Sequence, residues 1–192
     1  IMWTSGTTGK SKGVMQSHNV WIRSAENAAR MGGICEGDVV YNCLPLYNSA
    51  AWTANIYPAL VSGVTIALDH SFSASNFWDR VRLFGATHTF TLGAMHIFLW
   101  NAPPSPNDLN NPLRSCTMTP MPASIHRPFC KRFGIEMIHQ GYGQSEIMLL
   151  LTKEDDGVTE PTDHLGTAAS DIEVALLEEA GQPVGVGEVG EF

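Results

Sequence analysis

The chain has 192 residues, 44% of them hydrophobic and 16% charged, which fits one globular domain or part of a larger one and excludes a disordered chain. Its formal net charge is -8 and no basic cluster offsets it, so we expect no nucleic-acid partner. No stretch of about 18 residues is continuously apolar, so we expect no membrane span in this segment and a cytoplasmic protein. A peripheral membrane association of the full-length protein is left open.

Strand-like and helix-like segments alternate along the chain. Runs rich in β-branched and aromatic residues predict strands at 39–44, 64–68, 87–91 and 136–140. The spacing of apolar residues predicts helices at 19–31, 73–85 and 124–134. This alternation predicts an α/β fold with parallel-rich sheets flanked by helices. Two strand-like runs around the turn EEAGQ at 178–182 predict an antiparallel β region at the C-terminal end.

The four cysteines form no CxxC pair, so we expect reduced thiols rather than a zinc or dithiol site. The histidines at 18, 88, 96 and 139 lie in or beside apolar runs, without a carboxylate at a recognisable spacing. We therefore expect none of them to carry protons in a reaction.

The N-terminal stretch MWTSGTTGKSKGVMQSH has a composition suited to phosphate. Its hydroxyl side chains donate hydrogen bonds, its glycines allow close approach of the backbone, and its lysines add positive charge. The Walker spacing fails because Thr4 stands where the first glycine is required, and the dinucleotide fingerprint fails as well. On composition alone, a solvated turn between two strands is the alternative. The candidate phosphate-binding residues are Thr4, Ser5, Gly6, Thr7, Thr8, Gly9 and Lys12.

Two motifs carry a resemblance to the adenylate-forming, or AMP-binding, superfamily. The stretch TSGTTGKSKGV resembles its phosphate-loop signature [ST]-S-G-[ST]-[ST]-G-x-P-K-G, with Ser11 in place of the proline. The stretch GYGQSE at 141–146 resembles its Y-G-x-T-E motif, with Ser145 in place of the threonine. Taken alone, Glu146 would be an ordinary acid at the start of a helix. The two motifs together favour a shared nucleotide site.

Further segments resemble the acyl-CoA synthetase branch of this superfamily, including fatty-acid-transport, very-long-chain and carnitine/crotonobetaine-CoA ligases. The stretch CLPLYNSAAW resembles the LPLFH segment that lines the carboxylate pocket, with Asn48 where histidine is common. Tyr47, Asn48 and Trp52 are the candidate substrate-pocket residues, although such aromatic residues are often core. The stretch that begins at Thr119 is similar to a strand end that contacts adenine, but Thr119 and Pro120 depart from the pattern.

The resemblance implies a function and a set of partners. It implies ATP-dependent activation of a carboxylic acid, in this branch a fatty acid, to an acyl-adenylate, followed by thioester formation with coenzyme A. The cofactors and partners would be ATP, Mg²⁺, coenzyme A and a small-molecule carboxylic acid. Alternatives are an adenylation domain that loads a carrier protein and a degenerate nucleotide-binding module without turnover.

The resemblance also implies roles for residues and a domain organisation. Thr4, Lys12 and Glu146 would be catalytic, with Glu146 as the metal ligand, and the nucleotide would contact Tyr142, Gly143, Gln144 and Ser145. The chain starts at Ile1 and ends within a strand-like pattern, so we expect residues 1–192 to be part of a large AMP-binding domain. The N-terminal part, the ribose-binding motif and a small C-terminal domain would lie outside it, and the isolated fragment would be nearly inactive.

Overall fold

The computed structural model of the chain describes residues 1–4 and 9–192. The strands are β1 Met2–Thr4, β2 Lys12–Val14, β3 Val39–Asn42, β4 Thr65–Leu68, β5 His88–Leu92, β6 Ser115–Thr119, β7 Met137–Gln144, β8 Met148–Lys153 and β9 Thr167–Ala168. The helices are α1 His18–Gly32, α2 Ser49–Ala51, α3 Tyr57–Ser62, α4 Phe77–Phe84, α5 Ala94–Asn101 and α6 Ala123–Phe133, and a π-helical turn, Trp52–Ile56, joins α2 to α3. None of the helices in these described ranges is both long enough and apolar enough to cross a membrane.

Seven strands form one sheet in the order β4-β3-β5-β6-β7-β8-β9. The neighbours from β4 to β7 are parallel, whereas β7-β8 and β8-β9 are antiparallel. Strands β1 and β2 form a separate antiparallel hairpin. The predicted α/β fold with a parallel-rich sheet is confirmed. The antiparallel strands β8 and β9 lie before the predicted C-terminal region. Around the turn at 178–182, where two strands are predicted, the structure has two isolated bridges, from Leu177 to Pro183 and to Glu191.

Helices cover both faces of the sheet. The main core lies on the face covered by α4, α5 and α6, where Phe77, Phe129 and Phe133 are almost fully buried. Trp78 stacks on Phe133 with ring centroids 4.3 Å apart, which adds an aromatic contact to the burial of apolar area. Helix α1 packs against α3 and β8 on the opposite face. The cavity described below lies between this second layer and the sheet.

Helix α1 is fixed at its ends and along its length. The Ser17 side chain caps its N-terminus by accepting a hydrogen bond from the Val20 N–H, and Gly33 ends it in the left-handed conformation. The Arg23 guanidinium donates to the Leu149 carbonyl (2.8 Å) and pairs with Asp171 (3.1 Å). Helix α1 therefore holds β8 in place.

Sequence patterns do not predict α5, β6, β8 or the helical segment 49–62. Helix α5, AMHIFLWN, is apolar around most of its circumference, so it shows no 3.6-residue period. In the segment 49–62, the π-helical turn interrupts the helical period. Strand β8 follows β7 after a three-residue turn, and its run MLLLT shows no alternation. Each of these elements depends on tertiary packing rather than on a local pattern.

The Asp38 carboxylate connects several strands at their amino-terminal ends. These ends lie opposite the carboxyl ends that line the cavity. The buried carboxylate accepts hydrogen bonds from the Cys35 N–H (2.8 Å), the Thr87 hydroxyl (2.9 Å) and the Arg114 guanidinium (2.6 Å). The His88 ring lies 3.7 Å away. The sequence spacing does not reveal this neighbour, because the fold brings together residues fifty positions apart.

Replacement of Asp38 by asparagine should reduce stability in a pH-dependent way. Burial raises the pKa of Asp38, but the hydrogen bonds from Cys35, Arg114 and Thr87 outweigh it and hold the pKa at about 2, below the value of 3.8 for an unperturbed carboxyl. The stabilisation is thus complete above about pH 4 and is lost as the pH falls towards 2. We expect Asp38→Asn to lower the free energy of unfolding at pH 7 by about 2 kcal/mol.

Urea unfolding at pH 7 and at pH 3 checks this expectation. The difference between the wild type and Asp38→Asn should shrink at pH 3, where protonation of Asp38 begins to mimic the amide. A difference of equal size at both pH values would contradict the assignment.

The β7–β8 hairpin requires glycine where its strands approach most closely. A Cβ atom at Gly143 would overlap the Met148 carbonyl and lie 3.2 Å from the Leu149 Cα. A Cβ atom at Gly141 would lie 2.8 Å from the Leu151 carbonyl oxygen. The two glycines of the GYG sequence are therefore explained by packing within the hairpin.

Gly143→Ala should destabilise the protein by about 1–3 kcal/mol, because the new methyl group forces the hairpin strands apart. Gly32→Ala is the matched control: it adds a Cβ atom in a helix, and the nearest atoms are 3.6 and 3.8 Å away. The control should be neutral or stabilising by up to about 1 kcal/mol. Denaturant midpoints measure both variants, and equal midpoints would contradict the packing argument.

Candidate active site

A cavity of about 360 Å³ lies between the sheet and the helical layer formed by α1 and the segment 49–54. Its volume falls within the range of about 300–1,000 Å³ that is typical of small-molecule sites. Apolar side chains form most of the wall, namely Ala28, Met31, Ala50, Ala54, Phe90, Leu92, Met148, Leu149 and Leu165. Polar groups come from Ser49, Thr53, Thr117, Thr119 and Gln144.

The position of the cavity follows from the strand order. Strands β4 and β5 lie on opposite sides of β3, so the chain leaves β3 in one direction and later continues in the other. Open α/β sheets bind ligands at such a switch point, outside the carboxyl ends of the strands. Leu92 and Thr119, the last residues of β5 and β6, line the cavity.

The N-terminal hairpin brings two predicted phosphate-binding residues opposite each other. Thr4 ends β1 and pairs with Lys12, which begins β2. Lys12 and Gly9 are exposed, and Gly9 has a φ of 121° that favours glycine. The predicted binding residues Ser5, Gly6, Thr7 and Thr8 lie outside the described residues.

The side chain of Gln16 joins this hairpin to the turn between β7 and β8. Its amide nitrogen donates hydrogen bonds to the carbonyls of Ser145 (2.5 Å) and Glu146 (3.1 Å). Two carbonyl acceptors require two N–H donors, so the orientation of the amide is fixed. Gln16 lies two residues after β2, so the segment that follows the glycine-rich loop contacts the turn that carries Glu146.

The second motif forms the end of β7 and the turn after it. Tyr142, Gly143 and Gln144 line the cavity, and the Gln144 amide donates to the Tyr142 hydroxyl. Glu146 is exposed at the turn. The turn ends at Met148, which has a positive φ of 56° and is buried in the cavity wall. Non-glycine residues in this conformation occur most often at turns and functional sites.

The two sides of the cavity meet at a pair of hydroxyl groups. Ser49 Oγ at the start of α2 lies 3.1 Å from Ser145 Oγ. Ser49 also lines the cavity. On the floor, the Thr119 hydroxyl donates to the Gly141 carbonyl (2.7 Å), which ties β6 to the motif on β7.

None of the three predicted substrate-pocket residues is among the residues that line this cavity. Trp52 packs against the buried cluster of Leu44, Ala51 and Phe90. Tyr47 is 85% exposed. The Asn48 side chain accepts a hydrogen bond from the Ala50 N–H (2.9 Å) and caps α2. The Trp52 indole N–H donates to the Leu46 carbonyl (2.7 Å). Their role in binding a substrate stays a prediction.

Sequence reasoning missed the residues that do line the cavity from the segment 49–54, namely Ser49, Ala50, Thr53 and Ala54. The preference of asparagine for helix N-caps could have indicated that Asn48 begins a helix. With the cap at 48, the side chain after it turns towards the sheet. The small residues that follow leave space beside Phe90 and Leu92.

The buried rings of His88, His96 and His139 are neutral, and they make structural hydrogen bonds rather than carry protons in a reaction. Burial lowers the pKa values of His88, His96 and His139, the last to about 4. The His96 ring bridges the Thr91 hydroxyl and the Pro120 carbonyl. None of these three rings is among the cavity-lining residues.

His126, Cys130 and Asp155 lie close enough together to hold a metal ion, but the Asp155 carboxylate already has hydrogen-bond and ion-pair partners. Its oxygens accept hydrogen bonds from the Ile138 and Gly157 N–H groups and pair with Arg127. The guanidinium supplies the positive charge that a cation would bring. We therefore interpret this cluster as a structural ion pair.

Comparison with known proteins agrees with the geometry. The family described as AMP-binding enzyme matches residues 1–192. The chain belongs to this family.

Three similar proteins illustrate the family. Steroid-22-oyl-CoA synthetase of Rhodococcus jostii is 38% identical over 172 residues, which are 89% of this chain and 30% of that protein. Long-chain fatty acid transport protein 2 of Rattus norvegicus is 36% identical over 146 residues, which are 76% of this chain and 23% of that protein. The structure of O-succinylbenzoate coenzyme A synthetase from Bacillus subtilis, in complex with ATP and magnesium ion, superposes with a TM-score of 0.80 at 27% identity. That match covers 99% of this chain and 39% of that chain, so the chain spans less than half of each of these proteins.

The contact made by Gln16 predicts that the turn of this AMP-binding domain is held by the N-terminal hairpin. Gln16→Met keeps the length of the side chain and removes both donors. Amide hydrogen exchange in a peptide that covers 145–148 should become about 3- to 10-fold faster in the nucleotide-free protein, since a typical hydrogen bond stabilises by about 0.5–1.5 kcal/mol.

Gln182→Met is the matched control, because Gln182 is exposed in a loop near the C-terminal end. It should leave exchange at 145–148 unchanged. Equal exchange rates in the Gln16 variant and the wild type would show that this contact does not hold the turn.

Proposed function

We propose that the full-length protein activates a carboxylic acid with ATP and then transfers the acyl group to the thiol of coenzyme A. The observation that carries the proposal is the contact of Gln16 with the turn at 145–146. It joins the segment after β2, where Lys12 pairs with Thr4 of β1, to the turn that carries the exposed Glu146. Gln144, which precedes this turn, lines a largely apolar cavity. The names of the similar ligases and of the ATP complex support it.

The first step joins two anions. A carboxylate oxygen of the acid attacks the α-phosphorus of ATP, the bond to the bridging oxygen breaks, and pyrophosphate leaves. In the second step, the sulfur of coenzyme A attacks the acyl carbon and AMP leaves. Since the first step brings negative charges together, the site must supply positive charge and hydrogen-bond donors.

The residues of this chain would supply these groups from both motifs. Thr4, Gly9 and Lys12, with the loop between them, would bind the phosphates of ATP through hydroxyl groups, backbone N–H groups and one positive charge. Ser145 would donate to a phosphate oxygen. Tyr142 would border the adenine, and Gly143 and Gln144 would form the wall beside it.

The chemistry of the turn at 145–146 fits a magnesium ion. Mg²⁺ prefers oxygen ligands and is usually bound by one or two carboxylates together with phosphate oxygens and water. Glu146 is an exposed carboxylate next to the proposed phosphate site and would hold the ion. When bound, Mg²⁺ would neutralise charge on the phosphates.

The cavity suits an apolar acid. Its wall of alanine, leucine, methionine and phenylalanine side chains offers few hydrogen bonds along its length, so an alkyl chain would fill it without stranding polar groups. We propose a fatty acid as the substrate class. The names of the long-chain fatty acid transport protein and of the steroid-acid synthetase support an acid with an apolar body.

Acid-dependent exchange of labelled pyrophosphate into ATP tests the proposal on the full-length protein, with fatty acids of several chain lengths. We expect exchange in the wild type and at least about a 100-fold loss in Glu146→Gln, which removes the proposed carboxylate ligand of the metal. Glu179→Gln changes an exposed acid in the turn after residue 177 and should retain wild-type exchange.

The outcomes separate the alternatives. Wild-type exchange without any acid, or nucleotide binding without exchange, would favour a binding module and contradict acid activation. Exchange followed by acyl transfer to a carrier protein but not to coenzyme A would retain the first step and overturn the second.

A further inference from the structure

The inference concerns Ser49, because the side chain of its neighbour Asn48 already has a hydrogen-bond partner. The Asn48 side-chain oxygen accepts the Ala50 N–H and begins α2. Where the resembling family commonly has a histidine, this chain therefore has a helix cap. The polar group of this segment that lines the cavity nearest the second motif is the Ser49 hydroxyl.

Ser49 lies where the polar and apolar parts of the cavity meet. Its Oγ is 3.1 Å from the Ser145 Oγ. Ala50 and Ala54 of the same segment line the cavity together with the apolar side chains of Phe90 and Met31. An acid whose apolar body occupies this wall would place its carboxylate at the end that holds Ser49.

The hydroxyls of Ser49 and Ser145 can each donate one hydrogen bond, so together they can bind two anions. One of the two hydroxyls donates to the other. Each hydroxyl carries a single hydrogen, so each can donate to one anion once the contact between them opens. Ser145 would then face a phosphate oxygen and Ser49 the oxygen of a second anion about 3 Å away.

We propose that the Ser49 hydroxyl binds the carboxylate of the acid substrate and holds it beside the α-phosphate of ATP. This inference rests on the proposed function and adds the residue that positions the acid. It assigns to Ser49 a hydrogen bond to the substrate and no covalent step.

Steady-state pyrophosphate exchange and ATP-binding calorimetry on the full-length protein test the proposal. Ser49→Ala should reduce kcat/KM for the acid by about 10- to 100-fold, since it removes a hydrogen bond to a charged group. The Kd for ATP, measured without acid, should be unchanged or lower, because Ser145 no longer donates to or accepts from Ser49. Ser49→Thr keeps the hydroxyl and should retain at least about one third of the wild-type kcat/KM for the acid.

Ser62→Ala is the control, because Ser62 is the last residue of α3 and is not among the cavity-lining residues. It should match the wild type in both measurements. A loss in Ser49→Ala that affects ATP binding as strongly as the acid would indicate a structural role and overturn the proposal. Unchanged kcat/KM for the acid would also overturn it, whereas a wild-type protein without acid-dependent exchange would contradict the proposed function itself.

Discussion

The amide group of Gln16 donates to two successive carbonyls that lie 129 and 130 residues further along the chain. These two hydrogen bonds connect the segment after the N-terminal hairpin, which is a separate two-stranded sheet, to the turn at the end of β7. They bring the chain that follows Lys12 against the turn that carries Glu146, beside the part of the cavity wall formed by Tyr142, Gly143 and Gln144. We propose that an anionic ligand contacts both elements.

The strand order, helix α1 and the glycines of β7 hold the parts of this arrangement in place. The chain continues from β3 to β4 on one side and to β5 on the other, and the last residues of β5 and β6 line the cavity. Helix α1 contributes Ala28 and Met31 to the same wall, and its Arg23 donates to the Leu149 carbonyl of β8. Gly141 and Gly143 let β8 approach β7 closely enough for the turn to reach Gln16. The site thus depends on backbone geometry as much as on its charged side chains.

The sequence predicted the class of fold and the two motifs, because strand and helix periods and glycine spacing are local features. It did not predict the cavity wall, because the segment 49–54 enters a π-helical turn that has no local signature. Asn48 illustrates the limit: its identity suggested a pocket residue, whereas its helix-capping hydrogen bond is visible only once α2 is located. His88 is similar, because its neighbour Asp38 directly precedes another strand, β3.

A crystal structure of the full-length protein with Mg²⁺ and a non-hydrolysable ATP analogue tests the central claim most directly. We predict that Glu146 contacts the metal and that Lys12 and the residues between Thr4 and Gly9 contact the same triphosphate. A nucleotide bound elsewhere, or bound to one of these elements while the other faces away from it, would contradict the account.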